Sequence, residues 1–208
     1  GVVSAPRMEH ARAIRVSGFT DADKRAVVGT RAAGVVSELN VSLGSEVKRG
    51  DVIAILEAEG KEAAVETARQ LLSQREAEAN AARRLAERGS LPTLQRDNAL
   101  SALAAARSQL EAAEAELERN TVRAPFDGVI DKVDIELGSA VQPGTTVATV
   151  LNLDPILAKG EVSERDLAYV KRGDPAQVRL VNGREVDGTI RHISRDASSA
   201  TRTFRVEV

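Results

Sequence analysis

Gly34-Val-Val-Ser-Glu-Leu-Asn-Val-Ser-Leu-Gly-Ser-Glu-Val-Lys-Arg-Gly50 is answered, without a gap, by Gly128-Val-Ile-Asp-Lys-Val-Asp-Ile-Glu-Leu-Gly-Ser-Ala-Val-Gln-Pro-Gly144. The second copy begins 94 residues after the first. Gly34, Val35, Leu43, Gly44, Ser45, Val47 and Gly50 recur as Gly128, Val129, Leu137, Gly138, Ser139, Val141 and Gly144. A repeat at fixed offset marks architecture. Leu39 and Val41 are matched by Val133 and Ile135, which keeps the alternation of half-buried strands. Each copy closes on an apolar strand, Val52–Leu56 and Thr146–Val150. Gly44, Gly50, Gly138 and Gly144 are read as structural turn residues. They bracket a valine that faces the core, and glycine reaches positive φ without steric cost.

Between the copies, residues 60–119 are rich in Ala, Glu, Arg, Leu and Gln, the strongest helix formers. A Gly-then-Pro signal at Gly89-Ser-Leu-Pro92 divides them into two helical runs. In the second run Leu103, Ala106, Leu110, Ala113 and Leu117 alternate by three and four, which makes a coiled-coil seam. The first run offers Val65, Ala68, Leu72, Ala79, Ala82 and Ala86, a thinner seam interrupted by Arg75. The expected form is an antiparallel hairpin with arms of roughly 29 residues reaching about 43 Å. So many small alanines bury little area, so the hairpin is expected to be marginal by itself.

Composition narrows the function classes. A net charge of −2 and a pI near 5.9 leave no basic footprint for nucleic acid. Aromatic residues make up only 2% of the 208-residue chain and there is no Trp, which removes the usual stacking platforms. Without cysteine, disulfides and thiolate metal sites are excluded. No apolar run approaches the ~20 residues a membrane-spanning helix needs. No signal peptide precedes Gly1, and strand-like sequence at both ends reads as a piece of a longer chain. The histidines, His10 and His192, stand without spaced metal partners, and no phosphate loop, nucleophile elbow or His-pair motif occurs. The acidic run Glu111, Glu114, Glu116 and Glu118 reads as a solvated helix face. No catalytic residue, metal site or cofactor is expected.

The paired repeats resemble the two halves of a biotinyl/lipoyl domain, a flattened β-sandwich with quasi-two-fold symmetry. Split by a helical hairpin, they resemble the periplasmic adaptor (membrane-fusion) subunits of RND-type tripartite efflux pumps. Ser17-Gly-Phe-Thr20 leading to Arg25–Val28 is similar to the family's first strands, and Thr121–Gly128 to its return segment from the hairpin. Glu161–Gly173 and Thr201–Val208 resemble parts of its β-barrel. The resemblance implies an α+β fold: N-terminal strands over 1–26, a first lipoyl half over 27–58, the hairpin over 59–120, a second half over 121–151 and a truncated barrel over 152–208. It implies a non-catalytic bridge in the periplasm, anchored at the inner membrane in the full-length protein. The implied partners are an inner-membrane transporter of RND type, a TolC-type outer-membrane channel and further copies of the chain in a ring, commonly hexameric.

Two other readings stay open. One is an adaptor for an ABC-type exporter. The other is a lipoyl or biotinyl carrier modified at Lys61, near where a carrier lysine would stand. For the adaptor, Arg84, Leu85, Arg88, Ser90, Leu91 and Arg96 at the hairpin tip are the candidate channel-docking residues. Leu85 matches the leucine of the family's Arg, Leu and Ser tip pattern. Ala81 and Pro92 stand at its Arg and Ser positions, with Arg84 and Ser90 nearby. Cations at the end of the first helix also oppose its dipole, which accounts for Arg83, Arg84 and Arg88 but not for Arg96.

Overall fold

The repeat folds as two copies of one strand–turn–strand–turn–strand unit. The structure, a computed structural model, describes residues 13–198 and 200–208. His10 and the N-terminal strand expected before residue 13 lie outside the described residues. After β1 (Gly18–Gly29), the first copy supplies β2 (Gly34–Leu39), β3 (Glu46–Val47) and β4 (Val52–Leu56). The chain then runs through α1 (Lys61–Glu87), α2 (Thr93–Glu118) and β5 (Thr121–Arg123). The second copy supplies β6 (Gly128–Val133), β7 (Ala140–Val141) and β8 (Thr146–Ser163). The first five residues of β8 match β4, but β8 continues where β4 gives way to the hairpin.

The chain divides into two compact units, Lys24–Asn152 and Gly1–Asp23 with Leu153–Val208. In the first, the copies exchange their shortest strands. One sheet runs β5-β4-β2-β7, and the other contains β8, β6 and β3 in that order. Each sheet therefore borrows its two-residue strand from the opposite copy. The bonds that hold the borrowed strands repeat with the sequence. Gly44 N–H donates to the Ile130 carbonyl and Gly138 N–H to that of Val36, both at 2.8 Å. Ile130 N–H donates to Ser45 and Val36 N–H to Ser139, both at 2.9 Å. The correspondence reaches beyond the quoted segments to Thr30 and Ala124, whose carbonyls accept from Gly144 and Gly50.

The core repeats in the same way. Val36, Val47, Ile53, Ala54 and Leu56 are buried, as are their counterparts Ile130, Val141, Val147, Ala148 and Val150. Full burial of each large aliphatic side chain stabilises by about 1.5–3 kcal/mol. Neither copy can bury its own apolar face without the other. Gly44 and Gly138 take φ of 81° and 83°, and Gly50 and Gly144 take 89° and 88°. No atom lies within 4 Å of a Cβ built at any of these four, so their constraint is backbone conformation and not space. Gly128 differs: a Cβ there would sit 2.2 Å from the Leu151 carbonyl oxygen, inside the neighbouring strand.

The second unit is a partial β-barrel. The C-terminal part of β8 pairs with β12 (Thr203–Glu207), which pairs with β11 (His192–Ala197). A short α3 (Glu164–Leu167) is capped by the Ser163 side chain. β9 (Pro175–Arg179) and β10 (Glu185–Thr189) form a separate two-stranded ribbon. Val162, Ile190 and Val206 are its buried cluster, and Lys159 pairs with Asp21 at 2.8 Å.

Because Gly44 and Gly138 occupy equivalent open positions, Gly44→Val and Gly138→Val should each destabilise the sandwich by about 1–3 kcal/mol. Urea unfolding is the measurement, with similar losses expected for the two. A fragment ending at Glu59 lacks every strand that β2 and β3 borrow from the second copy, and it should show no cooperative thermal transition.

Candidate functional site: the hairpin and its two ends

Both helices form where composition places them, with 27 and 26 residues, so each extends about 40 Å. Val65, Ala68, Ala79 and Ala82 on α1 face Leu103 and Ala106 on α2, all buried. Leu72, Leu110, Ala113 and Leu117 are half-buried along the same seam. Arg75 interrupts it as expected and is neutralised by Glu78 at 2.7 Å. Arg107 of α2 reaches Glu76 of α1, and Arg69 reaches Glu114, both at 3.7 Å. These pairs are exposed and add little to the stability of the hairpin. They also show that part of the acidic face is paired.

The base of the hairpin is clasped to the sandwich by one buried residue. Asn120 is 2% exposed. Its Nδ2 donates to the Glu57 carbonyl at 2.7 Å, and its Oδ1 accepts from Lys61 Nζ at 2.8 Å. Its carbonyl accepts from Leu56 N–H at 2.8 Å. One side chain thus ties the exit from β4, the first residue of α1 and the end of α2. Lys61 begins a helix at this clasp, where a carrier lysine would stand free at the apex of a hairpin turn. Beside the clasp, Arg123 Nε donates to Glu118 at 2.6 Å and Arg123 Nη1 to the Gly50 carbonyl at 3.1 Å. The Arg123 hydrogen bond holds the Glu118 carboxyl below the ordinary carboxylate range. Its stabilisation is therefore present above that range and fades as pH falls through the lowered value.

At the opposite end, the chain turns within a few residues. Gly89, at φ 71°, donates to the Ala86 carbonyl at 3.0 Å, and Ser90 N–H donates to the Leu85 carbonyl at 2.8 Å. This is a Schellman cap, which satisfies the last carbonyls of α1. Pro92 then takes the N-cap position of α2, its carbonyl accepting from Gln95 and Arg96. Arg84, Leu85, Arg88 and Ser90 are exposed, and Leu91 and Arg96 are half-buried. Arg96, a cation poorly placed for the helix dipole, is neutralised by Asp97 at 3.0 Å. No acidic partner holds Arg84 or Arg88 among the described residues.

Sequence reasoning missed two residues here. Leu94, in the first turn of α2, is 71% exposed, against 44% for Leu85. The tip therefore presents two solvent-facing leucines, of which Leu94 is the barer. The other is Asn120, whose partners Glu57 and Lys61 lie far away along the chain. Among the described residues no three metal-ligating side chains converge, and His192 stands exposed at the start of β11. No helix among them is long and apolar enough to cross a membrane.

Residues 24–152 match the family described as "CzcB-like, barrel-sandwich hybrid domain". That span coincides with the first compact unit, hairpin included. The chain is 27% identical to the cobalt-zinc-cadmium resistance protein CzcB of Cupriavidus metallidurans, over 89% of its own length and 39% of that protein. It is 31% identical to the nodulation protein NolF of Rhizobium meliloti, over 99% of its own length and 60% of that protein. It thus spans less than two thirds of either. A solved MacA–MexA chimera carrying the α-hairpin domain of Pseudomonas aeruginosa MexA shares its fold with a TM-score of 0.77 at 23% identity. That likeness covers 92% of this chain and 70% of the chimera.

Replacing Asn120 with Ala leaves the part-buried Glu57 carbonyl and the Lys61 ammonium without their partner. Asn120→Ala should cost about 1–3 kcal/mol in urea unfolding. Leu85→Ser and Leu94→Ser, at exposed positions, should each shift stability by less than about 0.5 kcal/mol.

Proposed function

Because this chain belongs to the CzcB-like barrel-sandwich hybrid family, we propose that it is the non-catalytic periplasmic adaptor of an export pump. It links an inner-membrane transporter to an outer-membrane channel. The observation that carries this reading is the hairpin's division of labour. Its base is clamped to the sandwich by buried hydrogen bonds, while its capped tip displays two bare leucines and uncompensated arginines. A scaffold that holds an apolar, cationic knob about 40 Å along a helical arm suits docking, not chemistry.

In this proposal Leu85 and Leu94 are the apolar contacts, with the half-buried Leu91 beside them in the turn. Arg84 and Arg88 steer the tip toward an acidic rim, and Arg96 contributes less because Asp97 already holds it. Ser90 acts through its main chain by closing the turn. The lipoyl-like halves span 27–58 and 121–151, and residues 152–208 with the N-terminal segment form the part of the barrel nearer the transporter. Copies of the chain pack as a ring around the export path, six being the number the resemblance implies. The inner-membrane partner in this reading is of RND type and the channel of TolC type. An ABC-type exporter is the alternative partner, and copurification from membranes separates the two. The relatives' resistance to cobalt, zinc and cadmium makes divalent metal cations the first cargo to test.

Leu85→Ser together with Leu94→Ser should abolish efflux in cells while protein level and melting temperature stay unchanged. Normal pumping by that variant would remove the tip from the docking site. Reversing Arg84 and Arg88 to Glu should weaken channel binding, and binding of the unaltered protein should be the more salt-sensitive of the two.

A further inference from the structure

The loop that follows β2 carries a side-chain amide that the fold does not use. Of the six asparagines in the chain, at 40, 80, 98, 120, 152 and 182, only Asn40 is followed two places on by Ser or Thr. The intervening residue is Val41, and Asn-x-Ser with x other than Pro is the acceptor pattern for an N-linked glycan on a surface loop. β2 ends at Leu39, so Asn40, Val41 and Ser42 have left the sheet. Asn40 and Ser42 are both exposed.

The internal repeat supplies a control for what this position does structurally. Asn40 is held by its main chain, with its N–H donating to the Ile53 carbonyl at 2.9 Å, and Asp134 is held likewise by Val147 at 2.8 Å. The Asp134 carboxylate is also used, pairing with Lys132 at 2.6 Å. The Asn40 carboxamide has no such partner among the described residues. Its counterpart loop holds the same conformation without an amide, so the fold does not require one at position 40. Ser42 holds the loop through its main-chain N–H, which donates to Ser45 Oγ at 3.0 Å, and its exposed hydroxyl lies 3.2 Å from the same Oγ.

We propose that Asn40 is an acceptor site for N-linked glycan in the folded protein. The donor class is a lipid-pyrophosphate-linked oligosaccharide, and the transfer is made by an oligosaccharyltransferase. The Asn40 Nδ2 forms a bond to the anomeric carbon of the first sugar. The bond from that carbon to the pyrophosphate oxygen breaks, and its electron pair leaves with the lipid pyrophosphate. One Nδ2 proton passes to a base on the transferase, and no oxidant or reductant is needed. In a cell this rests on the periplasmic reading proposed above. The test with purified components does not depend on it.

The folded chain is incubated with a purified bacterial oligosaccharyltransferase and a lipid-pyrophosphate-linked oligosaccharide, then examined by intact mass and peptide mapping. The expected result is a gain of one oligosaccharide mass at Asn40. Asn40→Gln and Ser42→Ala should lose it. Asn40→Gln should melt as the unaltered protein does. Modification of a synthetic peptide spanning residues 36–44 without modification of the folded chain would overturn the proposal, by showing that the fold withholds the loop. Failure of both, or transfer to another asparagine, would overturn it as well.

Discussion

Everything in the sandwich depends on the reciprocal loan of β3 and β7. Two-residue strands cannot hold themselves in place. Each is fixed by backbone hydrogen bonds to the other copy, at Gly44 and Ser45 on one side and at Gly138 and Ser139 on the other. The loan commits the chain to bring together segments separated by the entire hairpin. It also explains why a long insertion is tolerated. Loop-closure entropy grows only slowly with length, and the inserted helices return the chain close to where it left. The core includes five repeated pairs of buried aliphatic side chains, which fits a chain with almost no aromatic residues.

That constraint passes directly into function. A hairpin built on alanine seats has little packing of its own, so its direction must be set at its base. Asn120 does this from a buried position on the returning segment, by bonding both Glu57 and Lys61 of the departing one. Arg123, bonded to Glu118 and to the Gly50 carbonyl, braces the same end against the sandwich turn. The tip is under different demands. The last turn of α1 is capped at Gly89 and Ser90 by main-chain bonds, which leaves the side chains of Leu85 and Leu94 exposed. Rigid main chain with idle apolar side chains is the arrangement expected of a docking surface.

Much of the architecture was legible because it is written twice or in composition. The repeated glycines and valines can be aligned by eye, and an Ala- and Glu-rich run between Gly60 and Asn120 leaves little choice but helix. What stayed hidden was set by rotation and distance. Leu94 looks like any other leucine in an Ala-rich helix. Only the position of Pro92 as the N-cap fixes the rotation that turns it to solvent. Asn120 reads as a boundary residue because its partners are more than fifty positions away, and no local pattern marks such a bond. Arg96 was an anomaly in sequence because the dipole argument considered the helix and not its neighbour Asp97. The barrel segment was traced only in outline. Its strands are short, and its β9–β10 ribbon carries none of the repetition that made the sandwich plain.

The central claim is that the hairpin works at its tip while its base serves only to aim it. Site-specific photo-crosslinking in intact cells tests this most directly. A photoreactive residue is placed at Leu94 in one strain and at Glu111, near the base, in another, and the adducts are identified by mass spectrometry. Adducts with an outer-membrane channel from position 94, and none with that channel from 111, are the predicted result. Channel adducts from position 111 alone, or from neither position in cells that are actively exporting, would contradict the account.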